Sequence, residues 1–142
     1  MRCRSVIALG LLVLTAGCGS QFVPVSGRVT LDGKPLANAM VVFEPLSDDP
    51  SPGPGSTGKT DKDGRYTLTL MTGKGSGAVV GLHKVSITAY EGDSGEVPSS
   101  GSDMVFRKPL LGEEHNVNSN WKFDVPAGGS AEANFDLKST PQ

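Results

Sequence analysis

Several short stretches of this chain alternate between apolar and polar residues, and turn-forming residues separate them. Residues 25–31 and 65–70 both show this alternation. Successive side chains of a strand point to opposite faces, so each stretch predicts a strand with one buried face. Residues 79–90 carry the strongest pattern, in which His83, Val85, Ile87 and Ala89 are predicted to share the buried face.

Residues 39–60 and 121–137 show other patterns, which predict one more strand, a loop and a hairpin. The continuous apolar run Met40–Phe43 predicts a strand over 39–44 that is central in its sheet or covered on both faces. Residues 44–60 contain four prolines together with glycine and serine, which predicts a solvated loop. Residues 121–125 and 131–137 alternate on either side of a Pro-Ala-Gly-Gly turn, which predicts a C-terminal hairpin.

Signals for helices are nearly absent, whereas strand and turn signals recur along the chain. About seven short strands with polar turns predict an all-β fold, an antiparallel β-sandwich. Gly33 and Gly64 occupy turn positions where positive φ is expected. Gly27 and Gly81 lie within strand patterns, where we expect a side chain to collide with a neighbouring strand.

The first 17 residues have a different character. Arg2 and Arg4 precede an apolar run from Val6 to Leu14, and small residues follow it. This three-part pattern is typical of a secretory signal peptide. A bilayer span needs about 20 apolar residues, so the run is too short to be a transmembrane helix. Residues 1–17 are therefore predicted to be a leader for export from the cytoplasm.

The leader ends at Thr15-Ala-Gly-Cys18, which resembles the bacterial lipobox. The resemblance implies that the Cys18 thiol is acylated and becomes the mature N-terminus. The expected product has a lipidated Cys18 and tether over 18–23 and one domain over 24–142, held on a bacterial membrane in the cell envelope. A plain signal peptide with an incidental cysteine is the alternative.

Removal of the leader changes the charge and the cysteine content. The 13 Lys and Arg residues include two in the leader, which leaves 11 against 15 Asp and Glu, a net charge of −4. These charges are scattered along the sequence and no basic patch is expected, which argues against a nucleic-acid partner. Cys18 would be the one remaining cysteine, so no internal disulfide is expected.

Three stretches, Val25–Phe43, Thr60–Tyr66 and Gly81–Ile87, together resemble the carboxypeptidase regulatory-like domains. With the lipobox, they are similar to small bacterial lipoproteins built on one such domain. The resemblance implies a transthyretin-like (prealbumin-like) sandwich of about seven strands. It also implies a non-catalytic role, because most such domains are accessory, adhesive or carbohydrate-contacting modules.

One short motif suggests a metal site at first sight. Asp61-x-Asp63-Gly64 resembles the beginning of a calcium-binding loop. Such a loop needs a bidentate glutamate at its twelfth position, and Thr72 stands there instead. We therefore interpret the motif as a turn, and predict no metal ligand, cofactor or catalytic residue.

The expected function is that of a non-enzymatic envelope lipoprotein whose β-sandwich binds a protein or glycan partner or has a structural role. Trp121 is the candidate ligand contact, because an exposed tryptophan can stack on a sugar ring, although its alternation with Phe123 also fits core packing. A carbohydrate-binding module is thus one alternative. The other is a metal-dependent enzyme using His83, His115 and nearby carboxylates.

Overall fold

The computed structural model describes residues 22–48, 52–92 and 107–139, and this part of the chain has an all-β fold. Its helical content is one 3-10 turn, Glu113–His115, and it contains no helix long and apolar enough to cross a membrane. The predicted leader and Cys18 lie outside the described residues. The strands are β1 (Phe22–Val23), β2 (Ser26–Leu31), β3 (Lys34–Pro35), β4 (Met40–Pro45), β5 (Ser56–Lys59), β6 (Arg65–Thr67), β7 (Thr69–Leu70), β8 (Ala78–Val79), β9 (Gly81–Thr88), β10 (Lys122–Val125) and β11 (Phe135–Leu137).

Two main sheets share one core. The larger sheet is antiparallel throughout, in the order β10-β9-β4-β5-β7. In the smaller sheet β2 lies between β11, which runs parallel to it, and the antiparallel strands β3 and β6. The short pair β1 and β8 forms a third sheet. Phe43 of the larger sheet contacts Phe135 of the smaller one, with ring centroids 6.2 Å apart, so the arrangement is consistent with a β-sandwich.

The buried faces follow the alternation in the sequence. His83, Val85, Ile87 and Ala89 of β9 and its extension are at most 3% exposed, as predicted. β4 is central, as predicted, but only its Val41 and Phe43 face is fully buried, since Met40 on the other face is exposed. The inward apolar side chains of the alternating strands thus pack between the two sheets. Removal of their apolar surface from water stabilises the fold.

Residues 65–70 alternate as predicted but serve both sheets. Tyr66, Leu68 and Leu70 are buried, at most 4% exposed. β6 pairs with β2 of the smaller sheet, whereas β7 pairs with β5 of the larger one. Leu68 stands at the break, where its N–H donates to the Val25 carbonyl over 2.9 Å. The chain crosses here from one sheet to the other, which closes one side of the core.

The prediction of a loop over 44–60 is wrong at its C-terminal end. β5 lies there, paired with β4 on one side and β7 on the other. Its residues Ser-Thr-Gly-Lys have no apolar side chain, so the alternation test cannot detect it. Gly58 is buried by the backbone of residue 67, which comes so close that a Cβ on Gly58 would lie 2.7 Å from the Thr67 carbonyl oxygen. At this position the close approach of a neighbouring strand, and not an apolar side chain, buries β5.

The predicted C-terminal hairpin is also wrong. β10 pairs antiparallel with β9, and β11 pairs parallel with β2 in the other sheet. Between them the Ser130 N–H donates to the Pro24 carbonyl and the Ser130 carbonyl accepts from the Ser26 N–H, over 2.9 and 2.8 Å. Alternation predicts which face of a strand is buried but not which strand it joins. These two bonds hold the segment between β10 and β11 beside the start of β2, in the smaller sheet.

The glycine predictions have mixed outcomes. A Cβ at Gly27 would lie 1.9 Å from the Ala133 carbonyl oxygen, so the predicted collision is confirmed. At Gly81 nothing lies within 4 Å, and the predicted collision is wrong; its φ of +120° is what favours glycine there. The positive φ expected at Gly33 and Gly64 is confirmed, at +81° and +73°.

Candidate functional site

The Asp61–Gly64 motif forms a turn, as predicted. Asp61 Oδ1 accepts hydrogen bonds from the backbone N–H groups of Asp63 and Arg65, both at 2.9 Å. The Gly64 N–H donates to the Asp61 carbonyl over 2.9 Å, and Gly64 has positive φ. An aspartate that bonds to its own following backbone stabilises a turn. The Asp61 carboxylate is therefore engaged in holding β6 in place.

Beside this turn lies an open cleft of about 650 Å³. Its walls come from β2, the end of β5, β6 and residues 131–134. Arg28, Lys59 and Arg65 line the cleft, and Asp61 is its one lining carboxylate. Ser26, Thr67 and Asn134 add polar groups to the walls. The cleft therefore combines positive charge with hydrogen-bonding groups.

The two arginines of the cleft lie directly opposite each other. Arg28 of β2 is the register partner of Arg65 of β6, and both side chains are exposed. Like charges opposite each other in an antiparallel pair are destabilising, so the packing of the sheet gives no reason for this pair. Within the described residues, no ion pair joins either arginine to a carboxylate.

A hydrogen bond to a main-chain carbonyl orients the Arg28 side chain without neutralising it. Arg28 Nε donates to the Asp63 main-chain carbonyl over 3.0 Å. The Arg28 N–H donates to Asn134 Oδ1 over 2.9 Å, which leaves the amide nitrogen of Asn134 as a further donor beside the cleft. A peptide carbonyl has no net charge, so this bond leaves the guanidinium charged. The Asp63 carboxylate, whose pKa is lowered by Lys62 first and then by Arg65 and Arg28, attracts both arginines through space without forming an ion pair with either.

Tyr66 closes the floor of the cleft. Its hydroxyl donates to the Ala133 carbonyl over 2.6 Å, and burial raises the pKa of this phenol above its ordinary value. The Ala133 N–H in turn donates to the Ser26 carbonyl over 3.1 Å. The segment before β11 is thereby fixed against β2 and β6, so the cleft has a rigid wall.

The expectation that the charges are scattered is corrected by the fold. Arg28 is more than 30 residues from Lys59 and Arg65 in sequence, but three different strands bring the three residues to one cleft. None of the three was predicted to be a site residue. The signal that could have found two of them is the outward position of each arginine in its alternating strand, but the pairing of β2 with β6 was also needed.

Trp121, the candidate ligand contact, lies elsewhere, beside the 3-10 turn. It packs against the core, with its ring edge-to-face on Phe135 at 5.6 Å and stacked on His115 at 6.5 Å. Its Nε1 donates to His115 Nδ1 over 3.3 Å, and His115 Nε2 is 3.2 Å from the Lys138 carbonyl oxygen. Trp121 remains partly exposed, and contact with a ligand stays a prediction.

His83 and His115 are not brought into one site. His83 is 1% exposed between the sheets and contacts Phe43, whereas His115 contacts Trp121. His83 Nδ1 is 2.9 Å from the Gly81 carbonyl oxygen, and its Nε2 has no hydrogen-bond partner in the described part of the chain. Over residues 22–48, 52–92 and 107–139 no three His, Cys, Asp or Glu side chains cluster as a metal site would require.

The burial of His83 predicts that acid destabilises the fold. Burial lowers the pKa of His83 from 6.5, while the Gly81 carbonyl and Asp124 partly oppose this shift. The unfolded chain therefore binds the proton first, so the stabilisation is complete above about pH 6.5 and is lost as the pH falls toward the lower folded value. We expect the free energy of unfolding to fall by up to about 1.4 kcal/mol per pH unit in this window.

Urea denaturation at a series of pH values from neutral to about 5 measures this dependence. The His83→Leu variant provides the control, since it keeps an inward side chain but removes the titrating ring. Its free energy of unfolding should decline less with acid than that of the wild type. Equal declines in the two proteins would show that His83 is not the responsible group.

Comparison of the chain with models of known protein families, with curated proteins and with solved structures finds no match.

Proposed function

We propose that this chain is a lipid-anchored module of the bacterial cell envelope that binds an anionic ligand without catalysis. The observation that carries the proposal is the pair Arg28 and Arg65, set opposite each other in an open polar cleft. Guanidinium groups form paired, charge-assisted hydrogen bonds with carboxylate, sulfate or phosphate groups. A bound anion would relieve the repulsion between the two arginines, which the sheet itself does not explain.

The charge of the whole domain makes the cleft distinctive. Three basic residues and one acidic residue line it, whereas the predicted mature chain has a net charge of −4. An acidic partner is thus repelled by the domain as a whole and attracted at this cleft. Electrostatic complementarity of this kind gives orientation and specificity more than affinity.

The leader pattern and Cys18 support the location that we propose. Export followed by acylation of Cys18 would hold the domain on a membrane outside the cytoplasm. The all-β fold, whose two sheets are joined by a stretch of chain that crosses between them, is compatible with the transthyretin-like sandwich that the sequence resembles. The carboxypeptidase regulatory-like domains that it resembles are mostly non-catalytic, in agreement with a binding function.

An acidic oligosaccharide tests the ligand class. Oligogalacturonate carries a carboxylate on every sugar, and its methyl ester has the same sugars without charge. We expect the acid, and not the ester, to bind the wild-type protein in calorimetric titrations. Arg28→Gln and Arg65→Gln should each weaken binding about tenfold, because loss of a charge-assisted hydrogen bond costs about 1.5–3 kcal/mol and exposure to water reduces that value.

Two controls separate the cleft from general charge effects. Lys74→Gln removes one exposed positive charge that does not line the cleft, and it should leave affinity nearly unchanged. Titration with inorganic phosphate shows whether a phosphorylated ligand binds in place of a carboxylated one. Equal binding of the acid and its ester, or equal effects of Lys74→Gln and Arg65→Gln, would contradict recognition by the two arginines.

A further inference from the structure

Four apolar side chains are exposed together at one end of the domain. Phe22, Leu46, Val80 and Leu82 are 43%, 41%, 36% and 43% exposed. We call these four residues the apolar end. Single exposed apolar residues are common, but a group of them often marks a surface that contacts a partner or a membrane.

The backbone pairing places these residues near one another. The Leu46 N–H donates to the Leu82 carbonyl over 2.8 Å, just beyond the register pair Pro45 and His83. Phe22 is the partner of Val79 in the β1–β8 pair, and Val80 and Leu82 are one and three residues after Val79 in the chain. The apolar end therefore includes the first described residue and the beginning of β9.

The position of Cys18 suggests what covers this surface. Phe22 is four residues after Cys18 in the sequence. Four residues span at most about 14 Å, even when fully extended. A lipid on Cys18 would therefore keep Phe22, and with it this end of the domain, close to the membrane surface.

We propose that the apolar end rests in the interface of the bilayer and orients the domain on the membrane; this inference depends on the proposed acylation of Cys18. Apolar side chains beside a lipid anchor gain by leaving water for the boundary between headgroups and acyl chains.

This orientation has a consequence for the cleft. Lys59 pairs with Met40 at the beginning of β4, whereas Leu46 follows the end of β4. Six residues of strand separate the two positions, which corresponds to about 20 Å along the sheet. Seating the apolar end on the bilayer thus holds the Lys59 side of the cleft away from the membrane, where it can reach a ligand in solution.

A fluorescent label at single positions tests the proposal. The mature protein would carry no thiol besides Cys18, so Leu82→Cys in the full precursor introduces one site for an environment-sensitive nitrobenzoxadiazole label. Leu110→Cys is the matched control, since Leu110 is also an exposed leucine but lies at the other end of β9, where its N–H donates to the Ala89 carbonyl. The processed proteins are purified and placed in phosphatidylcholine vesicles, with or without a nitroxide-labelled phospholipid.

We expect the label at residue 82 to show a blue shift on vesicles and to be quenched by the nitroxide lipid, and the label at residue 110 to show neither. Failure of the protein to float with the vesicles would contradict the anchor, and the inference with it. Flotation with equal, water-like emission from both labels would overturn the inference alone. A blue shift without lipid quenching would indicate that a second copy covers the apolar end, and would also overturn it.

Discussion

The Gly27→Ala variant is expected to be strongly destabilised. A Cβ at this position would lie 1.9 Å from the Ala133 carbonyl oxygen and 2.4 Å from its carbonyl carbon. These are backbone atoms, and the same carbonyl accepts the Tyr66 hydroxyl while the Ala133 N–H donates to Ser26. Relief of the collision therefore requires these bonds to break. We expect a loss of at least about 3 kcal/mol, from overpacking together with a buried hydrogen bond, against a typical total stability of 5–15 kcal/mol.

Gly128→Ala provides the matched control for this prediction. It makes the same chemical change where no atom lies within 4 Å of the added Cβ and where φ is not positive. Its midpoint in urea should stay close to that of the wild type. A Gly27→Ala midpoint as high as that of Gly128→Ala would mean that the segment before β11 yields easily, and the rigid wall of the cleft would be wrong.

The sequence predicted the inward faces best where apolar residues alternate over several positions. β9 is the clearest example, because alternating side chains from His83 to Ala89 leave one choice of buried face. The same reasoning identified Tyr66, Leu68 and Leu70, although it could not show that the strand changes sheets at Leu68. The local pattern determines burial, and long-range pairing determines the sheet.

The errors arose where burial did not depend on apolar side chains. β5 is a paired strand without any apolar residue. It is buried at Gly58, which leaves room for the Thr67 carbonyl, and at Ser56, whose side chain is small. The residues between β10 and β11 read as a hairpin turn, yet their backbone bonds to Pro24 and Ser26 direct β11 to the smaller sheet. Both features depend on contacts between residues distant in sequence.

The cleft could not be predicted for the same reason. Arg28 and Arg65 are ordinary outward residues of two strands until the register of β2 and β6 sets them opposite each other. Trp121, His83 and His115 are candidates in the sequence because their side chains are distinctive. The structure places the two histidines in separate aromatic contacts. Side-chain identity was therefore a weaker guide to the candidate site than strand pairing.

The Cys18→Ser variant is expected to leave the membrane fraction completely. Lipoprotein modification would supply at least two acyl chains, and each buried CH₂ contributes about 0.8 kcal/mol, so the attachment is stable when the chains are present. Serine cannot form the thioether that the modification requires. The described residues contain no helix able to cross a membrane, and the apolar end is too small to replace the lipid. Fractionation of cells followed by detection of the protein measures the change.

The other cysteine of the chain provides the control. Cys3→Ser changes the same atom within the predicted leader, which processing would remove, so the mature protein should stay in the membrane fraction and carry the same lipid mass. The Cys18→Ser domain itself should unfold in urea with the wild-type midpoint, because residue 18 is not part of any of the described strands. Retention of Cys18→Ser in the membrane, with its fold intact, would contradict acylation of Cys18. The binding of oligogalacturonate by the cleft would still stand, since it depends on Arg28 and Arg65 and not on the anchor.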